Sequence, residues 1–330
     1  MRPEHETRVV VTGATGFIGT HLIRRLRREG TKVLAVVRTS PPDRSRHPGV
    51  EYALRDLERT DSLRDLLRAG DVIVHLAARV HMMRDTRSGS EDAYRRANVE
   101  STRMICRSAV ESAARRMVYL SSAKVFGEGR ERPYERTDPP APADHYADSK
   151  LEAERAVREI TEGGGVEWTI FRPPFVYGGG GKGNFPRLVA LARLSSRVPL
   201  PLASVSNRRS ILYVGNLVDA LVRCGLHADG GGKVLLPRDA RDVSTPELLD
   251  AIARVGSRRA RLFRCPPRLL RAVARVVGRA GEMERLTESL RLDSRHLLEE
   301  LQWEPPFTLD RALQRSVDPA HLTAKGIDDE

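Results

Sequence analysis

The chain has 330 residues, 40% hydrophobic and 30% charged, which suffices for one large buried core with a smaller satellite. No apolar run approaches the roughly 18 residues of a membrane span, the stretch MRPEHETRVVV lacks a secretory leader pattern, and Cys106, Cys224 and Cys265 are too scattered for a disulfide framework or a metal knuckle. A cytoplasmic protein without metal is therefore expected; its net charge of +12 sits on arginines dispersed through helices such as IRRLRRE and RLLRAVARVVGRA, a pattern that disfavours nucleic acid and suits a small anionic substrate.

Short apolar strands and amphipathic helices alternate through the first 180 residues. Strands are predicted at 8–12, 32–37, 50–54, 71–77, 116–122 and 166–172, with helices near 17–29, 91–114 and 145–161. Near-continuous apolar strands separated by helices imply an α/β fold with a doubly wound parallel sheet covered on both faces. After Tyr177 the rhythm changes. A glycine loop at 178–184 precedes a helix at 185–195, then a strand at 210–214, a helix at 215–227 and a short strand in KVLLP. From about 244 the chain reads as mostly helical, and its last residues as a polar tail.

The stretch VTGATGFIGTHL sets Gly13, Gly16 and Gly19 between the first strand and its helix. Glycines let the backbone approach a pyrophosphate, and the helix start offers free N–H groups and the positive end of its dipole. At a first strand–helix junction this is a dinucleotide signature. Arg38 follows the second strand where an acid would select the ribose hydroxyl of NAD, so the cofactor is NAD or NADP with a modest tilt to NADP. Asp56 suits either an adenine contact or a helix-start acid.

In HYADSKLEAE, Tyr146 and Lys150 stand four residues apart and share one helix face. A phenol has an ordinary pKa of about 10, and a neighbouring ammonium is expected to lower it. A tyrosine tuned in this way exchanges a proton with a hydroxyl or ketone.

These features come together in TGATGFIG, HLAA, NVEST, SSAKVFGE, YADSK, FRPPFVYG and NRRSILYVGNLVDAL. With them the chain resembles an extended short-chain dehydrogenase/reductase of the NAD-dependent epimerase/dehydratase family. The resemblance implies a Rossmann-type sheet with a smaller, mostly helical C-terminal substrate domain. It implies a Rossmann domain over 1–178, with 208–228 returning to it, a substrate domain over 179–207 and 229–318, and a tail at 319–330. It also implies a nucleotide-diphosphate sugar as substrate, probed at C4, and a homodimer.

Residue by residue, the resemblance makes Ser122 the catalytic hydroxyl, Tyr146 the acid/base and Lys150 its partner. Asn98 is placed near the active site. Phe17, Ile18, Leu57, Leu76, Ala77 and Ala78 join the glycines, Arg38 and Asp56 around the dinucleotide. Ala123, Lys124, Phe175, Asn184, Arg209 and Arg285 face the substrate, with Arg209 and Arg285 gripping the diphosphate through charge-assisted hydrogen bonds. Two departures stand out. Phe175 replaces the asparagine of many relatives, and Ala123–Lys124 replaces the Asp–Glu pair of nucleotide-sugar 4,6-dehydratases. A 4-epimerase or a 4-ketoreductase is then expected, with UDP-hexoses and UDP-N-acetylhexosamines as the sugar class. A dehydratase using Lys124 as base and a non-catalytic dinucleotide sensor are the alternatives.

Overall fold

The computed structural model describes residues 7–41, 47–80, 90–181, 184–226, 230–276 and 278–317. Among them are nine strands: β1 (Arg8–Thr12), β2 (Lys32–Val37), β3 (Val50–Leu54), β4 (Val72–His75), β5 (Arg116–Leu120), β6 (Glu167–Phe171), β7 (Phe175–Tyr177), β8 (Ile211–Tyr213) and β9 (Lys233–Leu235). The main helices are α1 (Phe17–Arg28), α2 (Ser90–Tyr94), α3 (Ser101–Glu111), α4 (His145–Gly163), α5 (Asn184–Ser195), α6 (Val214–Ala220) and α7 (Thr245–Val255). They are followed by α8 (Pro267–Val276), α9 (Ala280–Thr287), α10 (Arg295–Leu301) and α11 (Leu309–Val317).

Seven strands make one sheet in the order β3-β2-β1-β4-β5-β6-β9, all parallel. Alternate residues of each strand feed opposite faces. Val9 and Val11 of β1 pack with Leu22, Ile23 and Leu26 of α1 and with Leu217, Leu249 and Leu313 from the later helices. Val10, Leu34 and Ile73 face the other way, into a cluster with Ile105, Tyr119 and Val157. The strand order reverses between β1 and β4, and ligands of such sheets bind beyond the strand carboxyl ends at this reversal.

Two expectations change. Lys233–Leu235, placed by sequence in the substrate domain, is the seventh strand of the main sheet, paired with β6; three residues carry too little pattern to reveal a partner some 60 positions earlier. The single helix expected at 91–114 is instead α2 and α3 joined by a π-helical turn at Arg95–Glu100. The pair β7–β8 stands apart from the sheet, and the strand at 175–177 was not foreseen because Pro173 and Pro174 precede it.

The C-terminal segment is tied to β7 and α6 by buried polar bonds. The Tyr177 hydroxyl donates to Asp239 at 2.8 Å, and Asn216 donates to the same carboxylate at 2.7 Å. The Trp303 indole donates to Asp219 at 2.9 Å. Arg209 pairs through its backbone with Val243 and sits in a bridge with Leu290. Among the described residues no helix is long and apolar enough to cross a membrane.

Two buried histidines should make this fold acid-sensitive. Burial pushes His75 down to about 3 and His296 down to about 4. An unfolded histidine binds its proton near pH 6.5, so between there and about pH 4 the unfolded state holds more protons than the folded one. Stability should fall with pH across that window, by about 1.4 kcal/mol per pH unit for each histidine. Urea titrations at pH 7, 6, 5 and 4 would show it, and His296→Gln should remove one of the two contributions.

Candidate active site

The glycine loop leaves β1 and turns into α1. Gly13 has φ +69°, and a Cβ there would lie 2.6 Å from the Ala77 nitrogen. At Gly19 a Cβ would meet the Gly13 carbonyl oxygen at 2.2 Å. The loop is therefore packed against Leu76 and Ala77 beyond β4 and tolerates no side chain at these positions. Gly16 is the N-cap of α1, with no side-chain cap and no acid in the first turn. A bare helix start flanked by glycines fits a pyrophosphate. Phe17 and Ile18 are half-buried against the core, and Ala78 continues the segment after β4. Arg38 is exposed just past β2, and Leu57 packs on the second core cluster. Asp56 accepts from the Glu58 backbone at 3.2 Å and lies 3.8 Å from Arg59, so in this structure it holds its own turn.

A buried chain of hydrogen bonds runs from the segment beside this loop to α4. The Ala77 amide donates to the Thr12 hydroxyl at 3.4 Å, and that hydroxyl meets His75 Nδ1 at 2.6 Å. His75 Nε2 meets the Thr102 hydroxyl at 3.0 Å, which donates to the Asn98 carbonyl at 2.6 Å. The Asn98 side chain is 1% exposed and sits in the π turn. Its oxygen accepts from the Arg79 amide at 2.7 Å; its nitrogen donates to the Arg79 carbonyl at 3.1 Å and to Ser149 at 2.9 Å. Its amide is fully engaged in holding the segment after β4 against α4. The π turn is the local device that points it there, in keeping with the frequent use of such turns at functional sites.

Ser121 and Ser122 follow directly on β5. Ser121 donates to the buried Glu154 carboxylate, which Arg172 grips through Nε at 2.9 Å and Nη2 at 2.6 Å. This triplet fixes the serine pair against α4, and sequence reasoning missed it: Glu154 and Arg172 each read as ordinary charged residues until the fold joins them. Ser122 caps the 3-10 turn Ala123–Phe126, accepting from the Lys124 amide at 3.2 Å.

Asp144 caps α4 by accepting from the Ala147 amide at 2.8 Å with one oxygen, and takes the Lys124 ammonium at 2.7 Å with the other. Lys124 is thus ion-paired, with 29% of its side chain exposed. Tyr146 opens α4 with its ring edge-on to Tyr94, centroids 6.2 Å apart. Burial pushes its phenol up to about 12, the Ser122 hydroxyl offsets part of that rise, and Asp144 adds to it. The sign is opposite to the expectation from spacing. Lys150 shares the helix face, but its ammonium lies 4.2 Å from the centroid of the Tyr119 ring. It is 2% exposed, and burial brings it down to about 7.

On the far side of the cleft, Phe175, Tyr177 and Asn184 meet Phe17 around a cavity of about 40 Å³. Two expected substrate residues therefore adjoin one from the nucleotide loop. Arg209 Nη1 contacts Glu128 at 3.3 Å and donates to the Glu288 carbonyl at 2.9 Å. Ala123 is buried behind Ser122. The Arg285 side chain lies outside the described residues.

A parallel sheet with a glycine loop after its first strand, a serine just past β5, and a tyrosine and lysine on the helix α4 is the arrangement of the extended short-chain dehydrogenase/reductases, which are enzymes. The chain belongs to the NAD dependent epimerase/dehydratase family, whose sequence profile matches residues 9–235. It is 32% identical over 312 residues to a UDP-glucose 4-epimerase of Vibrio cholerae, covering 93% of this chain and 94% of that one. Its structure is similar to that of MoeE5 in complex with UDP-glucuronic acid and NAD, at 26% identity and TM-score 0.73, covering 94% and 97% of the two chains. The fold is shared with a UDP-glucuronic acid 4-epimerase of Bacillus cereus in complex with NAD, at 19% identity and TM-score 0.76, covering 97% and 98%.

Proposed function

We propose that the protein is an NAD-dependent 4-epimerase of a UDP-hexose or UDP-N-acetylhexosamine. What supports this reading is Ser122 against Tyr146, with Tyr146 and Lys150 on one face of α4, in a sheet whose first helix starts at an uncapped glycine loop. The likeness to the Vibrio cholerae 4-epimerase over nearly the whole chain supports epimerisation over simple ketoreduction. The exposed Arg38 leaves room for NADP as the alternative dinucleotide.

When bound, the oxidised dinucleotide supplies the hydride acceptor and a positive ring. Gly13, Gly16 and Gly19 hold its pyrophosphate at the start of α1. Ser122 hydrogen-bonds the C4 oxygen. Tyr146 takes the proton from that oxygen and later returns it. Its raised pKa makes it a ready donor, while its work as a base would draw on the positive charge of Lys150. Asn98 positions α4 through Ser149. Phe175 gives the sugar an apolar wall where an asparagine would have hydrogen-bonded. Lys124 is held by Asp144, and an ion-paired ammonium has no lone pair to offer as a base, which weighs against elimination of water. A homodimer packed through α3 and α4, working in the cytoplasm, is part of this proposal.

Incubation of the protein and NAD with UDP-glucose or UDP-N-acetylglucosamine should yield the C4 epimer, read by proton NMR of the anomeric region. Absence of interconversion, with NADPH consumed only when a 4-keto sugar is supplied, would replace the epimerase with a ketoreductase.

Arg209 is proposed to bind the diphosphate, so Glu128 competes with substrate for the same guanidinium. Glu128→Gln should lower KM for the nucleotide sugar by about two- to fivefold, the scale of one part-exposed ion pair, with kcat nearly unchanged. A rise in KM would instead make Glu128 a substrate contact.

A further inference from the structure

The floor beneath Lys150 has a composition that the proposed mechanism does not use. Tyr119 is the fourth residue of β5 and is 0% exposed. Its ring carries the Lys150 ammonium on one face at 4.2 Å, a cation–π distance. The His75 ring lies beside it, centroids 5.6 Å apart. The Tyr119 hydroxyl is buried beside the Thr102 hydroxyl. The contact with the lysine is made by the ring face.

The charged and titratable groups around Lys150 sharpen the point. His75 comes from β4; burial and the lysine's own charge keep it neutral. Tyr146 and Glu154 come from α4 itself; Glu154, though paired with Arg172 and hydrogen-bonded by Ser121, still favours the charged lysine through its own charge. Tyr119 from β5 adds a direct contact through its ring face, and in a dry site such a contact counts for more than at the surface.

We infer that Tyr119 is a positioning residue for the catalytic lysine: the negative face of its ring seats the Lys150 ammonium and keeps it charged and aimed at the reacting end of α4. This rests on the reading of Lys150 as a catalytic group. It assigns a role to an aromatic residue two positions before the serine pair, where the sequence shows only a buried strand. The role depends on the electron density of the ring and not on its hydroxyl.

The test first secures the underlying reading, by showing that the wild-type protein turns over a nucleotide sugar and that Lys150→Met does not. Tyr119 is then replaced by phenylalanine and by its 4-fluoro, 3,4,5-trifluoro and pentafluoro analogues, which weaken the ring face stepwise while nearly keeping its shape. Tyr119→Phe should match the wild-type kcat. Along the fluorinated series kcat should fall progressively, by about three- to tenfold at the end, with KM little changed. The alkaline limb of the kcat profile should move to lower pH, because a weaker ring face gives up the ammonium sooner. Dinucleotide binding and the melting temperature report whether each variant is folded, and Tyr119→Leu serves as the ring-free endpoint. A kcat and pH profile that stay flat from phenylalanine to pentafluorophenylalanine would overturn the proposal. So would a Tyr119→Phe variant as impaired as Tyr119→Leu, since that would give the role to the hydroxyl.

Discussion

Tyr146→Phe should reduce kcat by about 10²- to 10⁴-fold, the usual contribution of a positioned acid/base, while leaving dinucleotide affinity near its wild-type value. The substitution removes one oxygen and keeps the ring that meets Tyr94 edge-on at 6.2 Å, so the start of α4 should stay in place. The cap from Asp144 to the Ala147 amide is likewise untouched. The loss should therefore appear in kcat with KM nearly unchanged, the signature of an interaction made at the reacting atoms. Single-turnover measurement of hydride transfer would check it. Turnover within a few-fold of wild type would remove Tyr146 from the chemistry and leave the site without an acid.

Lys150→Met should be inactive and more stable. Its ammonium is buried to 2% exposure and lowered to about 7, whereas an unfolded lysine titrates near 10.4. Between those values the unfolded chain binds more protons, so stability rises with pH from about 7 to about 10.4 and the full penalty applies below that window. The penalty is on the order of 4 kcal/mol. Methionine has a similar length and no charge, and it avoids that penalty while losing the contact with Tyr119. The expected result is a melting temperature several degrees higher at pH 7 and a kcat lowered by at least about 10²-fold. The gain should shrink as pH rises toward 10. A melting temperature below that of wild type at pH 7 would mean that the ammonium holds the fold together, and the reading of Lys150 as a destabilised functional group would fail.

What the sequence disclosed and what it withheld follow from the range of each interaction. The glycine loop was legible because its three glycines and the flanking strand lie within one short stretch. Tyr146 and Lys150 were legible because helical periodicity alone puts them on one face. The sign of the Tyr146 shift was not, because it depends on how deeply the fold buries the phenol and on which ring takes the ammonium. Lys124 was expected to face the substrate. The fold gave it another partner, Asp144, 20 positions away. Glu154 and Arg172 escaped notice for the same reason, since their pairing joins the middle of α4 to the end of β6. Asn98 was placed near the site, but the π turn that directs it is a local departure from regular helix that no periodicity announces.

The proposed diphosphate arginine depends on residues far along the chain. The Arg209 backbone pairs with Val243 and bridges Leu290, and its side chain donates to the Glu288 carbonyl. A chain shortened before Val243 would keep Gly13, Ser122 and Tyr146 and lose every one of these anchors, so the proposed grip on substrate is the part of the site most exposed to truncation.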